Sequence, residues 1–226
     1  MVQSSSISLL IKKLKIDEKE FITNHDLLKY CKYFKLDYTY ATGYLLRKGI
    51  LIRIFRGVFY VKTFDEIKLG QTKYNHLELL AKGIELKQVK DWYFGLYTAL
   101  KLNNMTHEYY AIEAVISDKI LRVIPILIAG HKFSFTKISY KLFGFGIILK
   151  KTRIRGTFIK YSDPEKTILD FIYLWKYEGI KPGRVLMDIE DWMDNIDLKK
   201  LKQYSKYYPK TVQRLVTEWH SWMVGL

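Results

Sequence analysis

The chain is poor in the residues that build most metal and cofactor sites. It has one cysteine, four prolines and five histidines among 226 residues. A single cysteine, Cys31, excludes an intramolecular disulfide. The histidines, at 25, 76, 107, 131 and 220, share no metal-ligand spacing, and one cysteine cannot supplement them, so neither a metal nor a cofactor is expected. The nearest approach to a glycine-rich phosphate loop, Phe143-Gly144-Phe145-Gly146, lacks a third glycine and a lysine and reads as a strand bend. Long apolar runs are missing too. The run at 123–129 falls well short of the ~18–20 residues that span a bilayer. The N-terminal MVQSSSISLLIKK has too short an apolar stretch before its lysines for a secretory signal. A cytoplasmic protein without a membrane segment is the expectation.

Hydrophobic residues are plentiful at 49%, enough to fill one large core or two small ones. Positive charge is also abundant: 38 Lys and Arg oppose 23 Asp and Glu, for a formal net charge of +15. Such an excess favours polyanionic partners, nucleic acid before acidic membrane surface. The excess is uneven. Residues 1–70 hold 13 basic against 7 acidic side chains, 71–160 hold 15 against 6, and 161–226 hold 10 of each.

Ile7, Leu10, Ile11 and Leu14 repeat at the spacing of one helical face and predict a first helix over ~4–15. A second, ~25–35, is capped by Asn24 and carries Leu27, Leu28, Cys31 and Phe34 as its apolar stripe, which makes Cys31 a core residue. A third starts after Asp37 and ends at Gly49, a left-handed cap. A turn of 100° per residue puts Ala41, Tyr44, Leu45 and the stem of Lys48 on one face of it. The opposite face carries Thr39, Tyr40, Thr42, Gly43, Leu46 and Arg47. Two β-branched and aromatic runs then flank Arg56-Gly57, where glycine supplies the positive φ of a tight hairpin, and Arg53 sits on the first run. Helix, helix, helix, hairpin is the order of a winged helix-turn-helix, expected over residues 1–62.

Beyond residue 62 the pattern predicts helices at ~74–83 and ~94–103, then strands at 110–116, 121–129, 132–138, 145–150 and 156–161. The stretch YSDPEKTILDFIYLW starts a helical block, capped either by Asp163 with Pro164 at the first helical position or by Ser162 with Glu165. Helices at ~184–194, ~197–207 and ~210–222 follow, the last with Val212, Leu215, Val216 and Trp219 at helical spacing. The fold class expected is α+β: a winged helix, then a mixed domain over 63–226 that ends in helices.

No catalytic pattern accompanies this. Asp188, Glu190, Asp191 and Asp194 could in principle hold divalent cations, but they lie at helical spacing around Leu186, Ile189 and Trp192 and read as a solvated helix face. Glu66-Ile67-Lys68 has the Glu-x-Lys form of many nucleases without a preceding strand-borne Asp, and reads as chance in a lysine-rich chain. No Ser or Cys has a positioned base. A binding protein is expected rather than an enzyme; a nuclease-like second domain and a protein-interaction module are the alternatives.

Three segments carry a resemblance. Leu45 to Tyr60 reads LLRKGILIRIFRGVFY, residues 92–106 read WYFGLYTALKLNNMT, and residues 159–172 read IKYSDPEKTILDFI. Together they resemble the AbiEi family of antitoxin-type transcriptional regulators of type IV toxin–antitoxin systems. The resemblance implies a protein that binds repeats or a palindrome in double-stranded DNA at its own promoter. It also implies that the protein counters a nucleotidyltransferase toxin encoded beside it without forming a stable complex with it. An oligomer on DNA is compatible with that picture.

On this reading Thr39, Tyr40, Thr42, Gly43 and Arg47 approach base edges, with Lys48 beside them, while Arg53 and Arg56 hold phosphates. The stretch with Lys150, Lys151, Arg153, Arg155 and Lys160 contains no carboxylate. Arg153 and Arg155 would alternate onto one side of a ribbon, as a second DNA-facing surface or as charge that guards a sheet edge.

Overall fold

A computed structural model describes residues 2–154, 156–193 and 196–224. The fold is α+β, with two separate sheets. Two compact units divide the chain: residues 1–88 with 127–130, and residues 89–126 with 131–226.

The first unit opens with α1 (Val2–Ile16), β1 (Phe21–Thr23), α2 (Asn24–Tyr33) and α3 (Tyr38–Arg47), and continues with β2 (Leu51–Phe55) and β3 (Val58–Val61). Ile7, Leu10 and Leu14 of α1, Leu27 and Cys31 of α2 and Ala41 and Leu45 of α3 meet in one core, as their helical spacing predicts. Cys31 is buried there. Leu28 departs from the expected stripe and is exposed. The cap of α2 is Thr23, not Asn24: Thr23 Oγ1 accepts from the Asp26 amide while Asp26 Oδ2 accepts from the Thr23 amide, a reciprocal box. Asp37 caps α3 by accepting from the Tyr40 amide. At the far end, Gly49 has φ +65°, and the Ile50 amide reaches back to the Leu45 carbonyl, a six-residue closure that a left-handed residue permits.

The expected hairpin is one part of a three-stranded antiparallel sheet, β1-β3-β2. Phe21 pairs with Tyr60 and Thr23 with Val58, a short strand that three residues could not announce by periodicity. Leu51 pairs with Val61 and Arg53 with Phe59, with a bulge before Phe55, and the two-residue turn is Arg56-Gly57 with Gly57 at φ +76°. This unit runs past the boundary expected at residue 62. Helix α4 (Phe64–Leu69) and helix α5 (His76–Leu86) belong to it. A side chain at Gly83 of α5 would meet Ile54 Cγ2 at 2.3 Å, so the glycine lets the helix lie directly on the ribbon. The Glu66 of the expected chance triplet has a local task. Its carboxylate accepts from the Tyr60 hydroxyl at 2.6 Å and from the Thr63 and Lys73 amides, which ties α4 to β3.

The second sheet, nearly all of it in the second unit, consists of β4 (Trp92–Phe94), β5 (Ile112–Ser117), β6 (Arg122–Ile128, whose last two residues are grouped with the first unit), β7 (His131–Lys137), β8 (Ile147–Lys151) and β9 (Phe158–Ser162) in the order β6-β7-β5-β4-β9-β8. It is mixed: β5 runs parallel to β7 and β4 parallel to β9, while β4·β5 and β8·β9 are antiparallel. Strand β4 replaces the start of the helix expected from ~94. Its aromatic run is buried on both faces, and the helix, α6 (Leu96–Leu102), begins only after Gly95. The C-terminal block consists of α7 (Pro164–Tyr177), α8 (Pro182–Glu190), α9 (Leu198–Ser205) and α10 (Lys210–Val224). Ile168, Leu169, Phe171 and Ile172 of α7 are its axis, packed with Val185, Ile189, Leu201, Val212, Leu215 and Val216. The side chain of Trp219 lies outside the described residues.

Candidate functional site

The first candidate surface lies on the N-terminal unit. Thr39, Tyr40, Arg47 and Lys48 are exposed, and Gly43 is half-buried. Gly43 leaves room for the Arg47 guanidinium, whose Nη1 would lie 3.4 Å from a side chain built at residue 43. The Lys48 ammonium lies 5.9 Å from the Tyr44 ring centre. Thr42 does not belong to this face. It is buried with Ala41 and Leu45, its hydroxyl has no hydrogen-bond partner among the described residues, and the expected base-contacting role is withdrawn. The face is narrower than a 100° projection suggests, because the core also takes up the flank of α3. Leu46 packs against that core as well.

Arg53 and Arg56 are both exposed, Arg53 with its guanidinium 6.0 Å from the Phe59 ring centre and Arg56 at the turn. The Lys87 ammonium donates to the Arg56 carbonyl at 2.9 Å, fixing the turn from α5. Among the described residues no carboxylate pairs with Arg47, Arg53 or Arg56. Arg153 is exposed but sits in the bend after β8, not on a strand, which withdraws the expected alternation along a ribbon; Arg155 lies outside the described residues.

The second candidate is a buried polar cluster at the start of α7, which sequence reading did not single out. Asp163 caps the helix, with Pro164 at the first helical position, resolving the two expected starts in favour of Asp163. One turn on, Lys166 is fully buried, and so is Asp170 one turn further. The Lys166 ammonium donates to the Leu142 carbonyl at 2.7 Å, to the Tyr208 hydroxyl at 3.2 Å and to Asp170 Oδ1 at 3.4 Å. Its three protons therefore have three acceptors. The rings of Phe145, Tyr93 and Tyr208 surround it at 4.5, 4.9 and 5.6 Å. Asp170 in turn accepts from the Tyr93 hydroxyl at 2.7 Å and the Tyr208 hydroxyl at 2.6 Å.

Burial pulls the Lys166 ammonium below its ordinary value, and Asp170 opposes that pull. Burial first, then the Asp170 carboxylate, pushes both phenols well above theirs. Gly146 belongs to the cluster: at φ +61° its α-carbon comes so close that a side chain would lie 2.8 Å from Lys166 Cβ and 2.9 Å from the Tyr204 ring. The Phe143-Gly146 stretch thus serves close packing at the entry to β8. Toward the surface, Lys200 of α9 bridges Asp163 at 3.0 Å and Glu165 at 2.7 Å, and those carboxylates hold its ammonium above the ordinary range against desolvation.

With three acceptors for its three protons, the enclosed ammonium ties α7 to Leu142 and Tyr208. The sequence does carry a signal for it: Lys166 and Asp170 stand at i and i+4 inside an otherwise apolar helix. Of the expected acidic cluster, Glu190 and Asp191 are exposed, and the side chains of Asp188 and Asp194 lie outside the described residues.

No family model matches the chain, and no curated protein matches it. Among solved structures, the crystal structure of the RV2827C protein from Mycobacterium tuberculosis is similar with a TM-score of 0.58 at 13% identity, over 95% of this chain and 76% of that one. The likeness is one of fold across nearly the whole length.

Proposed function

We propose that the N-terminal unit is a winged helix-turn-helix that binds double-stranded DNA, and that the chain is a transcriptional regulator with the antitoxin role of the AbiEi-like type IV systems it resembles. The observation that carries the DNA reading is the set of cations on α3 and its ribbon that pair with no carboxylate among the described residues: Arg47 beside exposed Thr39 and Tyr40, and Arg53 and Arg56 on the strand and turn. Hydroxyls and a guanidinium on a helix face suit base edges, where an Arg–guanine pair typically gives ~1–3 kcal/mol of discrimination. Arginines on a two-stranded ribbon suit phosphates, which position a protein without reading sequence. The antitoxin role rests on the resemblance alone. It assigns the second unit the task of countering a nucleotidyltransferase without a stable complex between the two.

The test is binding to duplexes from upstream of the protein's own gene and to random duplexes over a salt series. Native protein should bind both with affinity that falls as salt rises, the upstream duplex more tightly. Arg47→Ala should lose the preference more than it loses random binding. Equal losses on the two duplexes would remove base reading from α3, and no salt-dependent binding to either would remove the DNA reading. Co-expression with the neighbouring nucleotidyltransferase then tests the antitoxin role: unrelieved growth arrest would refute it.

A further inference from the structure

The turn between β2 and β3 is held from two sides. The Gly57 carbonyl accepts from the Asn24 amide at the start of α2 at 2.8 Å, and the Arg56 carbonyl accepts from the Lys87 ammonium at the end of α5 at 2.9 Å. Both carbonyls of the two-residue turn are therefore taken by helices outside the ribbon, and the turn is set before any partner arrives. Gly57 allows the first contact: at φ +76° its α-carbon lies so near α2 that a side chain would come within 3.1 Å of Asn24 Cγ. Gly83 allows the second. It seats α5 on Ile54, and Lys87 stands one turn further along the same side of that helix, so the close approach at Gly83 carries Lys87 to the turn.

Lys87 is exposed, and its one bond to a carbonyl leaves two of three ammonium protons open to the outside. The acidic side chain two residues before it is engaged elsewhere, since Glu85 pairs with Lys82 at 3.1 Å. Among the described residues no carboxylate pairs with Lys87. A lysine at a helix end commonly turns back to the last carbonyls of its own helix. This one reaches across to a turn that already carries Arg56, with Arg53 three residues earlier. Holding a carbonyl needs a donor and not a charge, and a second cation at the same turn adds repulsion unless an anion lies over it. We propose that Lys87 is a third cation of the DNA-facing ribbon: it fixes the β2–β3 turn and, with its open protons, takes a backbone phosphate beside those held by Arg53 and Arg56. The proposal rests on the DNA reading above and adds to it a residue from outside the helices and strands that reading uses.

The test is the affinity of the full chain for upstream and random duplexes over a salt series, with Lys87→Met, Lys87→Arg and Lys82→Met beside the native protein. Lys87→Met should lower the slope of log affinity against log salt by about 0.9 on both duplexes, since a phosphate contact reads no sequence. Lys87→Arg, which keeps donor and charge, should keep the native slope. Lys82→Met removes the same charge from the same helix, but one that Glu85 already meets, and should leave the slope alone. The melting temperature of Lys87→Met should stay near native, because water can take the place of the ammonium on the Arg56 carbonyl. Native binding with a slope that Lys87→Met does not change would overturn this proposal and leave the DNA reading standing. An equal fall in Lys82→Met would overturn it too, since total charge rather than the turn would then be felt, and so would a fall that Lys87→Arg shares. Native protein that binds neither duplex would remove the DNA reading and this proposal together.

Discussion

Cations in the two units are put to opposite uses. Around α3 and its ribbon, Arg47, Arg53 and Arg56 are exposed and pair with no carboxylate among the described residues, so their charge is available to something outside the chain. At the start of α7, Lys166 is enclosed by three rings, a carbonyl, a phenol and a carboxylate, and its charge is used up inside. Changes in the exposed set should therefore have little effect on the fold, and changes in the enclosed set a large one. A basic composition is therefore not one property: where each cation is buried decides whether it serves binding or folding.

The largest expected effect comes from disrupting the enclosed set. Lys166→Met keeps length and bulk but leaves the Asp170 carboxylate buried without a cation, which typically costs about 3–5 kcal/mol. Urea unfolding should show that loss, and adding Asp170→Leu should restore much of it, since the buried charge then disappears. A small loss from Lys166→Met would mean that the two tyrosine hydroxyls hold Asp170 unaided. The same cluster sets a pH signature. Tyr93 and Tyr208 have folded values well above the ordinary 10.0, so stability present below pH 10 is lost as the unfolded phenols ionise above it, at about 1.4 kcal/mol per pH unit for each. Lys166 has the opposite sign. Its folded value is depressed, so its contribution grows as pH rises toward the unfolded 10.5. Unfolding curves between pH 8 and 11 should therefore lose their rising limb in Lys166→Met and keep the fall.

A pair of glycines tests the same contrast at smaller magnitude. Gly49 after α3 and Gly146 beside α7 have nearly equal positive φ, +65° and +61°. A side chain at 49 meets nothing within 4 Å, whereas one at 146 strikes Lys166 and Tyr204. Gly49→Ala should cost only the left-handed backbone penalty of about 1–2 kcal/mol. Gly146→Ala should add to it an overpacking penalty of about 1–3 kcal/mol. Equal melting temperatures for the two would mean that the packing around Lys166 yields easily.

The smallest effect on folding, and the one that probes the exposed set, is Arg53→Ala with Arg56→Ala. Stability should stay within about 0.5 kcal/mol of native, as for surface changes generally. The slope of log affinity against log salt on duplex DNA should drop by up to ~1.8, about 0.9 for each phosphate no longer neutralised. An unchanged slope would detach these arginines from the proposed interface.

Much of this was legible because it is local. Helix α3 shows how far locality reaches. Its start after Asp37 and its glycine stop were readable, and Ala41 and Leu45 were placed in the core, yet Thr42 is buried too. A projection knows which residues share a face but not how wide a face the neighbours cover. Strand β1 shows the limit in another form: three residues carry no period, and only their pairing with β3 makes them a strand. The unit boundary at residue 62 followed the end of the ribbon, whereas Gly83 of α5 and Glu66 of α4 bind their helices to that ribbon through contacts that no spacing encodes.

The order of amino acids was enough for much that depends on near neighbours: the presence of most helices, a helix start at Ser162 or Asp163, the turn at Arg56-Gly57, the α+β class and the positive excess. Whatever depends on who lies opposite was settled by the folded chain. Folding took Thr42 out of the exposed face, put Arg153 in a bend, and enclosed an ion cluster on the helix start SDPEKTILD. One cause covers all three cases. A side chain's charge and shape are written locally, but its solvation is set by residues far away in the chain: Tyr93 and Tyr208 stand 77 and 38 positions from the Asp170 they bind.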